Sequence, residues 1–300
     1  MRVVVLTNPA AGSRANAVAE LRDALSAAGV DVVDVKQVPG EELTRLTRRL
    51  AEEGQVDAVV AAGGDGTVSA VAAGLVGTDV PLGVLPTGTL NHFARDAGLP
   101  AGLSDAALVV AGGNVAALDV GEVNGRAFIN NSSIGLYPHI VGKRDRQRQR
   151  LGRGKWLAML LSFISVFRRF PTIAVQIGAP DRSVLRTTPF VFVGNNLYDI
   201  TLTTLGRRKR LDSGQLCVYF TNRAGRFGLL RLALRAVLGR LEQARDFEAL
   251  CLSELWIDSP QSSLRTAVDG EVIHLAPPLH FRIRPAALKV LIPRGAVDAS

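Results

Sequence analysis

Apolar positions in the first hundred residues follow two patterns that alternate along the chain. Short unbroken runs, Val3 to Thr7, Val32 to Lys36, Ala58 to Ala62 and Leu82 to Leu85, are each followed by a stretch of helical character. Those stretches are about Asn16 to Ala28, Glu41 to Glu53, and the segments after Gly66 and after Thr89. A strand with no polar alternation is buried on both faces, and strands alternating with helices build a parallel sheet. The expected fold of this half is an α/β domain on a doubly wound, mainly parallel sheet. In such a sheet the loops at the carboxyl ends of the strands share one crevice. Here they are Asn8-Pro9-Ala10-Ala11-Gly12, Gly63-Gly64-Asp65-Gly66-Thr67 and Pro86-Thr87-Gly88-Thr89.

The pattern changes after about Val115. Leu118 to Val123 and Arg126 to Ser133 flank Asn124-Gly125, a strong hairpin signal. Further runs at Ile173 to Ile177, Thr188 to Val193, Gln215 to Phe220, Glu254 to Ile257, Leu264 to Val268, Leu279 to Ile283 and Leu288 to Ile292 read as strands without crossover helices. A mainly antiparallel, β-rich C-terminal domain is expected, with helices near Trp156 to Arg169 and Gly225 to Leu238. The change of pattern divides the chain into domains at 1–120 and 121–300.

Composition narrows this picture. At 300 residues and 47% apolar, the chain supports two globular cores. Two cysteines, Cys217 and Cys251, are too few for a disulfide framework and fit a reducing cytoplasm. The chain opens directly on a strand, so no secretory leader is expected. The longest apolar stretch, Trp156 to Phe167, falls short of the ~20 residues of a spanning helix.

The formal charge is +8, 35 basic against 27 acidic residues, which suits an anionic partner. The densest charge run, Lys143 to Lys155, leads into Trp156 to Phe170. Two readings stand: peripheral contact of 143–170 with an anionic membrane, and a solvated loop before a buried helix. No aromatic platform or recognition motif accompanies the run, so nucleic acid is not an expected partner.

The chemistry concentrates in the loop after Val56 to Ala62. Its glycines let the backbone turn sharply and approach a bulky anion, while helix amides and the helix dipole favour the anion's charge. A carboxylate beside bound phosphates is repelled unless a cation lies between them or the carboxylate takes a proton from an attacking hydroxyl. Both situations belong to phosphoryl transfer, which points to a kinase. The same five residues also suit a plain βα turn with a helix cap. No G-x-x-x-x-G-K-[ST] and no G-x-G-x-x-G occurs in the chain, which disfavours P-loop and dinucleotide-fold enzymes. A second block, Pro86 to Asp96, again follows a strand and opens a helix, with Thr89 also readable as its N-cap. In Asp269-Gly270-Glu271 the glycine permits a tight turn that puts two carboxylates at a strand end. A lipid hydroxyl must lose its proton as the bond to phosphorus forms, and either Glu271 or Asp65 suits that task.

Together with Asn8 to Gly12, these blocks resemble the catalytic domain of the diacylglycerol kinase and sphingosine kinase superfamily over roughly residues 1 to 120. Leu118-Asp119-Val120-Gly121, Leu211-Asp212-Ser213-Gly214 and Val268-Asp269-Gly270-Glu271 look like later blocks of that family, in order. The resemblance implies an ATP-dependent, Mg²⁺-requiring lipid kinase, its α/β half a nucleotide-binding domain and its β-rich half a lipid-substrate domain. It implies Glu271 as general base and Asp65 near the γ-phosphate. ATP contacts fall on Asn8, Pro9, Ala10, Ala11, Gly12, Gly63, Gly64, Asp65, Gly66, Thr67, Val68, Ser69, Thr87, Gly88, Thr89, Asn91 and Asp269. Asp119 and Asp212 become candidates for a structural Mg²⁺.

The chain departs from the family pattern at two positions. His92 stands where an Asp is common, and Ser213 where a second carboxylate is common, which weakens the structural metal site. The expected substrate is a diacylglycerol-like or sphingoid lipid, in the cytoplasm at the inner membrane face, with room for a homodimer. The rival readings are an NAD kinase, which also uses a Gly-Gly-Asp-Gly-Thr loop, and a non-catalytic nucleotide- or lipid-binding protein of the same fold.

Overall fold

A computed structural model of the chain describes residues 1–9, 17–135, 173–179, 182–199, 206–220 and 248–295. Along the described chain, β1 (Arg2–Thr7), α1 (Ala17–Ala27), β2 (Asp31–Gln37), α2 (Gly40–Glu53), β3 (Ala58–Gly63), α3 (Asp65–Leu75) and β4 (Leu82–Pro86) alternate as expected. Two helices follow, α4 (His92–Asp96) and α5 (Leu103–Gly112), then the hairpin of β5 (Val115–Val123) and β6 (Arg126–Phe128). At its turn Asn124 and Gly125 both have positive φ, 46° and 81°, the geometry that an Asn-Gly pair is chosen for. The remaining strands are β7 (Asn131–Gly135), β8 (Ile173–Ala179), β9 (Arg182–Thr188), β10 (Phe190–Asn195), β11 (Tyr198–Asp199) and β12 (Arg207–Arg208). After them come β13 (Leu216–Phe220), β14 (Glu248–Leu252), β15 (Glu254–Asp258), β16 (Leu264–Val268), β17 (Glu271–Leu275) and β18 (Leu279–Leu291).

The chain folds as two units. One holds Met1–Asn130, Arg208–Gly214 and Ile283–Ser300; the other holds Asn131–Arg207 and Gln215–Arg282. Where a single cut near residue 120 was expected, two later segments return to the first unit.

In the first unit the strand order is β2-β1-β3-β4, with β1 parallel to both neighbours and β3 parallel to β4. Residue parity explains the double winding. Val3 and Val5 of β1 and Ala58 and Val60 of β3 join a core with Leu21 and Leu25 of α1 and Ala106, Ala107 and Val110 of α5. Val4, Leu6, Val59 and Ala61 face the opposite way, against Leu43 of α2 and Val68, Val71 and Leu75 of α3. Strands buried on both faces have no polar side to show, hence their unbroken apolar runs. The late strand β18 closes this sheet, Val290 lying parallel beside Leu82.

The second unit contains a wholly antiparallel six-stranded sheet, β14-β13-β10-β7-β16-β17. A further antiparallel set runs β9-β8-β15, with Glu254 to Ile257 of β15 opposite Leu279 to Arg282 of β18.

Several expectations are corrected. Thr188 to Val193 is two strands, because β9 ends at Thr188 and β10 begins at Phe190, with Pro189 between them. The runs expected at Leu279 to Ile283 and Leu288 to Ile292 fall on one long strand, Leu279–Leu291, whose Ala286 has φ 51°. Helix α5 and strands β9, β14 and β17 were not foreseen. The cysteines, taken as reduced, are joined: Cys217 and Cys251 are registered partners on β13 and β14, with a Cα separation of 4.1 Å. The expected helices at 156–169 and 225–238, and the basic segment 143–155, lie outside the described residues. Among the described residues no helix is long and apolar enough to cross a membrane.

Candidate active site

The strand order 2-1-3-4 reverses direction between β1 and β3, and a doubly wound sheet binds ligands at the carboxyl ends of strands beside such a reversal. The loops that begin there are Asn8-Pro9 and Gly63-Gly64. Asn8 is half-buried and Pro9 exposed; Ala10, Ala11 and Gly12 lie outside the described residues.

Gly63 ends β3 and Gly64 is the N-cap of α3, with no side-chain hydrogen bond capping the helix. The amides of Asp65 and Gly66 therefore head an 11-residue helix, where the first turn has no internal acceptor for its N–H groups. A side chain at Gly66 would meet nothing within 4 Å, so the first turn of the helix is open on that side. At Gly63 a Cβ would lie 2.5 Å from Thr67 Oγ1, which leaves only glycine room beside the buried Thr67. Val68 is buried in the sheet-facing core, and Ser69 Oγ is buried without a hydrogen-bond partner.

The third loop packs on the second. Thr87 N–H donates to the Gly63 carbonyl at 3.1 Å, and a Cβ at Gly88 would overlap the Gly64 Cα. Asn91 holds this turn: in the left-handed region at φ 48°, its Nδ2 donates to the carbonyls of Gly88 at 3.0 Å and Pro86 at 3.3 Å. Asn91, not Thr89, is the N-cap of α4; Thr87, Gly88 and Thr89 are exposed. Asp65 joins the two helix starts, its Oδ1 accepting the Phe93 N–H at 3.3 Å. His92 is exposed, with its Nδ1 3.3 Å from Arg95 Nη2.

Glu271 and Asp269 belong to the second unit. Asp269-Gly270 forms the two-residue turn between β16 and β17, with φ 46° and 88°. Asp269 is tied to the neighbouring strand: its carboxylate accepts the Asn131 N–H at 3.0 Å and its own N–H donates to the Asn131 carbonyl at 2.8 Å. Glu271 opens β17 with its side chain exposed, a carboxylate on a fixed hairpin and in water.

Asp119 and Asp212, the candidates for a structural cation, both have partners within the protein. Asp119 is 4% exposed and both its oxygens accept backbone amides, Gly214 at 2.6 Å and Ala286 at 3.0 Å. Asp212 pairs with Arg210 at 3.0 Å. Among the described residues no group of three or more His, Cys, Asp or Glu is arranged to hold a metal. A cavity of about 330 Å³ lies in the first unit between Asp96, the 114–118 segment and Lys209 to Asp212. It includes none of the residues of the Gly63 and Thr87 loops.

Arg208 was not foreseen. It is 4% exposed, and its guanidinium donates to Asp96 Oδ2 at 2.8 Å, the Ile129 carbonyl at 2.6 Å and Asn130 Oδ1 at 2.8 Å. Within Arg207-Arg208-Lys209-Arg210 it reads as one more solvated charge; the buried Asp96 that selects it is more than a hundred residues away.

Comparison with known proteins decides the family. The sequence profile of the diacylglycerol kinase catalytic domain matches residues 2–123. A diacylglycerol kinase of Mycobacterium tuberculosis is 30% identical over 307 residues, covering 98% of this chain and 96% of that protein. The chain belongs to the bacterial diacylglycerol kinase family of lipid kinases. A family protein of Shigella boydii, named "Probable lipid kinase YegS", is 30% identical over 264 residues, 82% of each chain. The crystal structure of a diacylglycerol kinase from Bacillus anthracis aligns with a TM-score of 0.70 over 99% of this chain and 98% of that one, at 20% identity. At that identity the alignment speaks for the bacterial diacylglycerol kinase fold.

Proposed function

We propose that this protein transfers the γ-phosphoryl group of ATP to a hydroxyl of a diacylglycerol-like or sphingoid lipid. The observation that carries the reading is the Asp65 loop. A carboxylate, open helix amides and a glycine-only contact to the Thr87 loop meet at the sheet's reversal point, in a chain related over nearly its full length to a named diacylglycerol kinase.

The residues fit ATP with Mg²⁺. Mg²⁺ in such sites is held by one or two carboxylates together with substrate phosphates, so a lone Asp65 beside anion-binding amides is a suitable set. ATP and Mg²⁺, when bound, supply the phosphoryl group and neutralise its developing charge. The amides of Asp65 and Gly66 would hold phosphate oxygens, and the Thr87 to Thr89 turn would flank them. The Thr87 amide on the Gly63 carbonyl keeps the two loops in contact, and Asn91 holds the second turn. Glu271, exposed at the start of β17, would accept the proton of the lipid hydroxyl as it attacks. Asp269, bonded on both sides to Asn131, fixes the turn that carries it. Contact of the 143–170 segment with anionic lipid at the inner membrane face, and a homodimer, belong to the same reading.

The test is transfer from labelled ATP and Mg²⁺ to diacylglycerol and sphingoid bases in mixed micelles, with NAD as a parallel acceptor. Asp65→Ala is expected to abolish transfer, and Glu271→Ala to lower kcat by about 10²–10⁴-fold, the usual contribution of a positioned base. Transfer to NAD alone would replace the lipid reading by an NAD kinase. ATP binding without transfer to any acceptor would leave a binding protein.

A further inference from the structure

The chain passes between the two units at four points: after Asn130, after Arg207, after Gly214 and after Arg282. On the first unit's side, two buried charged residues hold all four. Asp119 accepts the amide of Gly214, the last residue before the third passage, and that of Ala286, four residues beyond the fourth. Arg208 is itself the first residue after the second passage, and it grips Asn130, the last residue before the first, together with the Ile129 carbonyl. It also donates to Asp96 at the end of α4, the short helix whose Phe93 amide contacts Asp65. The Arg208 and Asp96 side chains are 0% and 3% exposed, so water does not screen this pair.

A guanidinium spends its donors in a rigid planar fork, which suits three acceptors from two chain segments. Asn130 directly precedes Asn131, whose amide and carbonyl hold the Asp269 turn that carries Glu271. We infer that Arg208 is a positioning residue for phosphoryl transfer: it fixes the backbone at two of the four passages and references it to the helix beside Asp65. The inference rests on the kinase reading above, which gives Asp65 and Glu271 their roles. It predicts that loosening the fork harms the chemical step more than the binding of ATP, since the Gly63 and Thr87 loops are held by their own contacts. Misplacement of reacting groups by about 1 Å costs on the order of 10²-fold.

The experiment compares the full chain with Arg208→Lys, which keeps the charge and loses the fork, and with Asn130→Ala, which removes one acceptor and leaves the ion pair. Steady-state transfer to the lipid acceptor is measured well below the melting temperature, alongside hydrogen exchange at 126–133 and 206–214. Expected for Arg208→Lys is a fall in kcat of about tenfold to a hundredfold with KM for ATP within about twofold, and faster exchange in both segments. Asn130→Ala is expected to shift both readouts the same way by a smaller factor. An unchanged kcat, or an equal loss of ATP binding, would overturn the positioning role. Unchanged exchange in both variants would overturn the clamp itself. Absence of transfer in the parent chain would strike the kinase reading, and exchange would still decide whether Arg208 holds the two passages.

Discussion

Single residues in this protein are constrained by what their neighbours leave them. Tyr219 is 1% exposed; its hydroxyl accepts the Tyr198 N–H at 2.9 Å and donates to the Tyr198 carbonyl at 3.2 Å. Burial pushes its pKa up to about 12. A folded-state pKa above the unfolded value of about 10 means that the unfolded chain loses its proton first. This group's contribution to stability is therefore intact below about pH 10 and is lost as pH rises towards 12. Ultraviolet titration of the folded protein should reveal one tyrosine that ionises late. Tyr219→Phe should remove that late step and, by leaving the Tyr198 amide without its acceptor, lower stability by about 1–3 kcal/mol in denaturant melts. Gly88 is constrained more tightly, because a methyl group there would overlap the Gly64 Cα and neither backbone can step aside. Gly88→Ala is expected to raise KM for ATP at least about tenfold, an effect of about 1.4 kcal/mol on the loop geometry, and to lower the melting temperature as well. An unaltered KM would detach the Thr87 loop from nucleotide binding.

Elements were legible in the sequence to the degree that burial leaves a pattern. The strands of the first unit are apolar on both faces and their helices separate them cleanly, so β1 to β4 and the helices between them were readable nearly to the residue. Helix α5 was not, since Leu-Ser-Asp-Ala-Ala-Leu-Val-Val-Ala-Gly carries almost no polar face. Strand β17 was missed for the opposite reason: Glu271, Val272, Ile273, His274 and Leu275 are all exposed or half-buried, and nothing enforces alternation. The loops of the candidate site could be read because glycine at fixed spacing after a strand has few other uses. Arg208 and the Cys217 to Cys251 bond could not, as both depend on register or on partners far along the chain. The β16 to β17 hairpin illustrates what an element contributes. Gly270 has φ 88° with open space around it, so Gly270→Ala meets no clash, only a conformational cost of about 1–2 kcal/mol. Stability should fall by that amount in a urea melt, while transfer to lipid should fall further than stability accounts for, because the same turn aims Glu271. A loss of activity no larger than the loss of folded protein would separate Glu271 from the chemistry.

At the scale of the whole molecule, the first unit is not a contiguous piece of sequence. Its main core includes Leu211, Leu288, Val290 and Ile292 from the two returning segments. At about 1.5–3 kcal/mol for each buried side chain, those four supply roughly 6–12 kcal/mol, as much as the total stability of a typical domain. A fragment ending at Asn130, although it contains the whole profile-matched region 2–123, is therefore expected to lack a cooperative thermal transition. A sharp transition in that fragment would contradict this division of the chain.

The late arrival of β18 also bears on how the protein is made. The edge of β4 that Val290 covers is synthesised early and must wait for its partner through the roughly 150 residues between Asn130 and Ile283. At 5–20 residues per second on the ribosome, that wait is roughly eight to thirty seconds. Throughout it, a nascent chain rich in Val and Ala presents an open parallel edge, the kind of surface that pairs with other chains or recruits a chaperone. Yield in the cell should then depend on how elongation of the second unit is paced, as much as on the stability of the finished protein.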